Sequence, residues 1–315
     1  MKNFKKIILA FGLILSTLLV GCGQTQTEQV EQTEQSQTVI DREGNQVVLP
    51  EQVDKIISLA PSITETLVDL DLADKLVAVD KYSLQVEGVN KDLPIFDIMS
   101  PDAENIVMLE PDVIFGTGMS KSDGTDPFAP MVEMGAFVTV VPTSTSIEGI
   151  KEDILYIGQV TQTEQRAQAI VDNFDKKINE ILDKVEQYKK ENKEEATVYF
   201  ETSPMPDAYT FGQDTFLNDM LNLLGAKNIF GEETGWLPVS EEQVVDKNPD
   251  VILTNAGFLE TPVEDIKNRA GWENIDAIKN DRVYLIDKDS SARANENSII
   301  AFEQMAKSLY PDLFE

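Results

Sequence analysis

The sequence predicts an α/β protein made of two lobes with mostly parallel sheets, joined by one long rigid helix, with a ligand cleft between the lobes. Three observations predict it. Short β-branched runs alternate with helical patterns over residues 38–161 and again over 194–315. Between them, residues 162–193 carry apolar side chains at spacings of three and four, with no Gly or Pro. A stretch of the first half also aligns without gaps on a stretch of the second.

Residues 1–21 precede this body. Lys2, Lys5 and Lys6 form a positive start, and Ile7 to Val20 an apolar run interrupted by Gly12, Ser16 and Thr17. The run is short for a bilayer span and reads as a signal peptide. It ends in Leu19-Val20-Gly21-Cys22, which resembles a lipoprotein box. Cleavage before Cys22 leaves a lipidated cysteine as the new N-terminus. The expected location is the outer face of the cytoplasmic membrane, or the periplasmic side where an outer membrane exists. Cys22 is the only cysteine, so no disulfide staples the exported chain and its apolar core must hold it. Residues 22–37 are rich in Gln, Thr and Glu, too polar to offset their ordering entropy, and read as a flexible tether.

Without residues 1–21 the chain keeps 23 basic against 56 acidic residues, a net charge of about −33. That balance opposes nucleic-acid binding, which needs basic surface. Most of these acids read as solvated faces.

In the first lobe Ile56 to Leu59 reads as a strand, followed by a helix that Ser62 and Glu65 open as a capping box. Leu76 to Val79 is the next strand. Asp102 to Leu109 is helical, Val113 to Phe115 and Val138 to Val141 are strands, and Ser146 to Val160 is a helix. The linking helix follows. In the second lobe the strands are Thr197 to Phe200, Val251 to Thr254 and Val283 to Ile286. The repeat aligns Asp102–Phe115 with Ser240–Leu253: a helix, a Pro-Asp turn and a buried strand in each. Small-residue loops follow both strands, Gly116–Ser120 and Thr254–Phe258. Ligands of open parallel sheets bind beyond the carboxyl ends of the strands, so these loops should meet at one cleft. They contribute Met119, Ser120, Asn255 and Phe258 as candidates.

The opening Thr38–Gly44 with Val47–Pro50 is similar to the start of ferric-siderophore-binding proteins of ABC importers. Lys55–Glu65 resembles the first βα unit of their cobalamin-binding members, and Gly235–Ser240 and the ending around Arg293 also match that group. The resemblance runs from about Thr38 to Pro311. It implies the helical-backbone fold of class III importer-binding proteins, a permease and its ATPase as partners, and a monomer. It also implies one acid per lobe for docking to the permease; Glu133, and Glu264 or Asp265, are the candidates. The sequence departs from the group after Arg293, where Ala294-Asn295-Glu296-Asn297 stands in place of small residues and Pro. Ser290 and Ser291 stand where bulky residues are expected. The fold therefore carries over, and the ligand does not.

The chain has no histidine, which removes His-containing triads and His-based metal sites, and no catalytic or metal residue is assigned. Tyr82, Tyr209, Phe211, Trp236 and Phe258 fall near strand ends or loops, where stacked rings suit a bulky planar ligand; ordinary core or loop packing is the other reading of each ring. The resemblance also places Tyr209 and Trp236 at the cleft. Met99 can touch ligand or pack beneath its loop. Ser62 stands at a helix N-terminus that suits an anion or carbonyl. Arg293 is expected to open the last helix, as a partner for an anionic group or as a surface arginine. The expected ligand is a metal chelate or corrinoid, with haem as the alternative. An anchored enzyme acting on a small molecule in the same cleft is the reading from another class.

Overall fold

The computed structural model describes residues 37–121, 124, 126–191 and 195–314. The signal peptide, Cys22 and nearly all of the tether lie outside the described residues.

The chain enters through an antiparallel hairpin of β1 (Thr38–Ile40) and β2 (Gln46–Val48). The first lobe follows as β3 (Ile56–Ser58), α1 (Pro61–Asp69), β4 (Leu76–Asp80), β5 (Ile95–Phe96), α2 (Ala103–Val107), β6 (Val113–Thr117), α3 (Ala129–Glu133), β7 (Val138–Val141) and α4 (Ile147–Val160). Its sheet runs β5-β4-β3-β6-β7, with every pairing parallel. Helix α5 spans Glu164–Glu191, slightly inside the 162–193 read from the sequence.

The second lobe comprises β8 (Thr197–Glu201), β9 (Tyr209–Phe211), α6 (Phe216–Leu223), β10 (Lys227–Asn228), β11 (Trp236–Pro238), α7 (Glu241–Lys247), β12 (Val251–Thr254), α8 (Pro262–Lys267), α9 (Asp276–Lys279), β13 (Val283–Leu285), α10 (Lys288–Ala292) and α11 (Ser298–Leu309). Strands β10-β8-β12-β13 form a parallel sheet, and β9 pairs with β11 as a separate antiparallel ribbon.

The internal repeat is a repeat of hydrogen bonds as well as of pattern. Asp102 caps α2 through the Asn105 amide, and Ser240 caps α7 in a capping box with Gln243. Each Pro-Asp turn then places its aspartate against the start of the neighbouring strand. Asp112 accepts from the amides of Asp54 (2.7 Å) and Lys55 (2.8 Å) ahead of β3. Asp250 accepts from the Thr197 amide (2.8 Å) and hydroxyl (2.6 Å) at the start of β8. In both lobes this fixes the register of the central strand, and with it the position of the strand's carboxyl end.

Two expectations are corrected. Helix α1 is not opened by a capping box. Ala60 is its N-cap and Pro61 its first residue, with φ already suited to the helix, so Ser62 falls inside the first turn and Glu65 is free for other partners. The loop after β6 starts late, because Gly116 and Thr117 belong to the strand and Gly118–Lys121 form a 3₁₀ turn. Gly116 lies against the Phe128 ring; a Cβ there would sit 2.4 Å from the ring, so only glycine lets β6 run on beneath it.

The linking helix is rigid because it belongs to the core of both lobes. Val171, Phe174, Ile178 and Val185 of α5 are buried, and one continuous apolar cluster joins them to Ile154 and Ile157 of α4 and to Phe302 and Leu309 of α11. Bending α5 would open that cluster to water at a cost of about 1.5–3 kcal/mol for each large side chain exposed.

A candidate binding cleft between the lobes

The carboxyl ends of β6 and β7, helix α4, the β9–β11 ribbon and the turn after α10 enclose a cavity of about 670 Å³. That is the size of a small-molecule site. Its walls are mostly apolar: Ile63 from α1, Ile150, Ile154 and Ile157 from α4, Phe216 from α6, and the ring of Trp236. Ser62, Thr66, Thr117, Thr143 and Asn295 supply neutral polar groups.

Two charged residues line it, and both are already engaged. Asp153 of α4 accepts from Arg42 Nε at 2.6 Å and from the Ser144 hydroxyl. Burial pushes the Asp153 carboxyl above its ordinary range, and those two donors pull it part of the way back. Arg293 pairs with Glu65 of α1, and through its other nitrogen with Asp289 at 2.9 Å. Arg293 therefore terminates α10 rather than opening the last helix, which begins at Ser298. Its guanidinium is a strut between the lobes, not a free cation.

Of the residues expected at the site, Ser62, Met119, Trp236 and Arg293 line the cavity. Trp236 is half exposed and meets the buried Phe211 ring edge-on at 5.8 Å, which holds the indole upright on β11. Tyr82, Met99, Tyr209 and Phe258 are all substantially exposed but are not among the lining residues; none is a core residue. Ser120 and Asn255 are likewise not among the lining residues. Both are buried and spend their side chains on the loops that carry them, Ser120 on the Ile98 carbonyl (2.6 Å) and Asn255 on the Ser291 hydroxyl (3.0 Å). The smallness of Ser291, odd beside the expected bulky residue, is what admits the Asn255 amide. Cys22 lies outside the described residues. Glu133 ends α3, and Glu264 and Asp265 sit in the first turn of α8. Glu264 meets Lys267 at 3.7 Å, and Asp265 accepts from the Thr261 hydroxyl at 3.0 Å.

Sequence reasoning missed the contribution of α4. One signal was available: Asp153 interrupts the apolar stripe Ile150-Ile154-Ile157, and an acid on the buried face of a helix needs a partner or a purpose.

Comparison with known proteins agrees with this architecture. Residues 56–290 match the family model described as periplasmic binding protein. The chain is 35% identical over 311 residues, covering 96% of both sequences, to the ABC transporter substrate-binding lipoprotein YvrC of Bacillus subtilis (strain 168). It is 26% identical over 267 residues to the vitamin B12-binding protein of Yersinia pestis (strain Pestoides F), covering 84% of this chain and 89% of that one. Among solved structures, a protein of Staphylococcus epidermidis ATCC 12228 described as a possible iron-binding, periplasmic solute-binding protein superposes with a TM-score of 0.71 at 31% identity. The match covers 82% of this chain and 100% of that one.

Proposed function

We propose that this chain, which belongs to the periplasmic binding protein family, is the extracytoplasmic substrate-binding lipoprotein of an ABC importer. Its ligand is a bulky, near-neutral iron–siderophore complex or corrinoid. It is a binding protein, as its relatives are, and not an enzyme. The Yersinia relative supports the corrinoid, and the Staphylococcus neighbour supports the iron complex. The observation that carries the reading is the pairing within the cleft: Asp153 is spent on Arg42, and Arg293 on Glu65 and Asp289. A strongly anionic tris-catecholate would need several unspent cations to offset its lost hydration. A ferric hydroxamate or a corrinoid needs mainly apolar contact and neutral hydrogen-bond partners, which the isoleucines, Trp236, Ser62 and Thr143 supply.

Titration of the purified protein with cobalamin, a ferric hydroxamate, a ferric catecholate and haemin tests this. The readout is tryptophan quenching, which reports Trp236 because the only other tryptophan, Trp272, is fully buried elsewhere. The hydroxamate or cobalamin should bind tightest. Trp236→Ala, which removes that reporter and is therefore titrated by calorimetry, should weaken it by about 1–3 kcal/mol, the usual cost of losing a central aromatic contact. Tight binding of the catecholate alone, unchanged in Trp236→Ala, would overturn the assignment.

The chain acts as a monomer tethered by a lipid on Cys22, and hands its ligand to a permease driven by an ATPase. Acids at the tip of each lobe, Glu133 on α3 and Glu264 and Asp265 on α8, meet basic residues of the permease. Two variants separate anchoring from docking in cells. Cys22→Ala should release the protein from the membrane fraction. Charge reversal at Glu133, Glu264 and Asp265 together should leave it anchored and binding ligand normally, but abolish uptake. Unchanged uptake in the charge-reversed variant would move the docking surface elsewhere.

A further inference from the structure

Helix α1 presents Ser62, Glu65, Thr66 and Asp69 to the second lobe at the i, i+3, i+4, i+7 spacing of a single helical stripe. The segment Arg293–Glu296 lies along that stripe. Asn295 donates to the Ser62 carbonyl (3.1 Å) and to Glu65 Oε2 (2.5 Å), and Arg293 holds Glu65 Oε1. One turn further on, Thr66 Oγ1 donates to Glu296 Oε2 at 2.8 Å. Ser62, Thr66, Arg293 and Asn295 also line the cleft, so this seam between the lobes is one wall of the binding site.

Glu296 is the odd member of the seam. Its residue surface is 7% exposed, and no donor reaches its Oε1. The Asp69 carboxylate, another acceptor, lines the same small cavity as Glu296. Two facing carboxylates repel, whereas a carboxylic acid facing a carboxylate makes a hydrogen bond through one shared proton. The neighbouring cations do not relieve the repulsion. Arg166 and Lys177 of α5 line the small cavity beside Glu296, but neither makes an ion pair with it among the described residues, and Arg166 is held by Asp71. The remaining charges of the seam, Glu65, Arg293 and Asp289, are paired with one another.

We propose that Glu296 is a positioning residue for the cleft: carrying a proton shared with Asp69, it locks Arg293–Glu296 onto α1 and so fixes the wall that the ligand meets. Ionised, it would set a second negative charge against Asp69, with no ion pair to Glu296 among the described residues to offset it. The segment would lift, and Arg293 and Asn295 would move with it. Burial, reinforced by Asp69, pushes the Glu296 carboxyl from 4.5 to about 8. An acid raised in this way binds a proton in the folded state that the unfolded chain has lost. Its contribution to stability is therefore full below about pH 4.5, declines as pH rises, and is gone above about pH 8.

The inference rests on the cleft being the binding site, yet its test needs no ligand, so the two can fail separately. The full-length lipoprotein in detergent is followed from about pH 5 to about pH 9 by thermal unfolding and by acrylamide quenching of tryptophan fluorescence. Glu296→Gln keeps a donor and cannot ionise. Wild type should melt progressively below this variant as pH rises, and Trp236 should become more quenchable in wild type only. Glu296→Ala should melt low at every pH. Parallel melting profiles for wild type and Glu296→Gln, or wild-type quenching that does not change with pH, would overturn the proposal. Should Glu296→Gln fold poorly, ¹³C-carboxyl NMR of the wild type decides. A glutamate still protonated at neutral pH supports the shared proton; if every glutamate titrates in the ordinary range, it does not exist.

Discussion

Arg269→Ala lowers the melting temperature by on the order of 10 °C, the largest loss expected from removing one charged side chain in this protein. Arg269 forks onto Glu201, with Nη1 to Oε2 at 2.7 Å and Nη2 to Oε1 at 3.0 Å. Glu201 is 1% exposed, at the carboxyl end of β8, and the buried Tyr199 hydroxyl also donates to it at 3.4 Å. Burial and the adjacent Glu201 hold the Tyr199 phenol well above its ordinary range, so it stays neutral and remains a donor. The guanidinium also lies over the Trp272 ring, 4.2 Å from its centre. Removing it strands a buried carboxylate, which costs about 3–5 kcal/mol. It also frees the turn after α8 from the sheet, so the acids Glu264 and Asp265 on α8 lose their fixed position. Replacing both partners, as Glu201→Gln with Arg269→Met, should recover most of the loss, because no charge is then left alone. An Arg269→Ala protein that melts with the wild type would show that the pair contributes nothing.

Gly212→Ala is expected to be the most damaging small substitution near the cleft. A Cβ at Gly212 would lie 2.1 Å from the Glu233 carbonyl oxygen and 2.5 Å from its carbon, both backbone atoms. Neither can give way, because the Gln213 amide donates to that oxygen (2.8 Å) and the Gly212 amide to the Gly235 carbonyl (2.8 Å). The methyl group would pry β9 from β11 just where Phe211 faces Trp236. We expect a loss of about 3 kcal/mol in stability, the upper range for overpacking. Ligand binding should weaken at least as much as in Trp236→Ala. Gly235→Ala is the control: its φ is +72° and nothing lies within 4 Å, so it bears only the left-handed strain of about 1–2 kcal/mol. Equal effects from the two alanines would mean that the crossing of the ribbon is not close-packed.

Local order along the chain was legible. The β-branched runs, the uninterrupted linking helix and the paired Pro-Asp turns depend on neighbours within a few residues, and spacing reports such neighbours directly. Rings near strand ends were legible only as candidates: Trp236 is half exposed, whereas Phe211, from the same pattern, is fully buried. Which charges are spent was not legible. The Arg293–Glu65 and Asp153–Arg42 pairs join residues more than a hundred positions apart, and no spacing rule pairs side chains at that distance; only Arg293–Asp289 has a helical i,i+4 spacing. Ser62–Glu65 shows the consequence: as a sequence it reads as a capping box, but Pro61 takes the first helical position and Arg293 takes Glu65. The sequence alone determined two α/β lobes on a rigid helix with an acidic exterior. The tertiary structure decided that the cleft between them is apolar with its charges paired, because burial and pairing belong to the space between elements and not to any one of them.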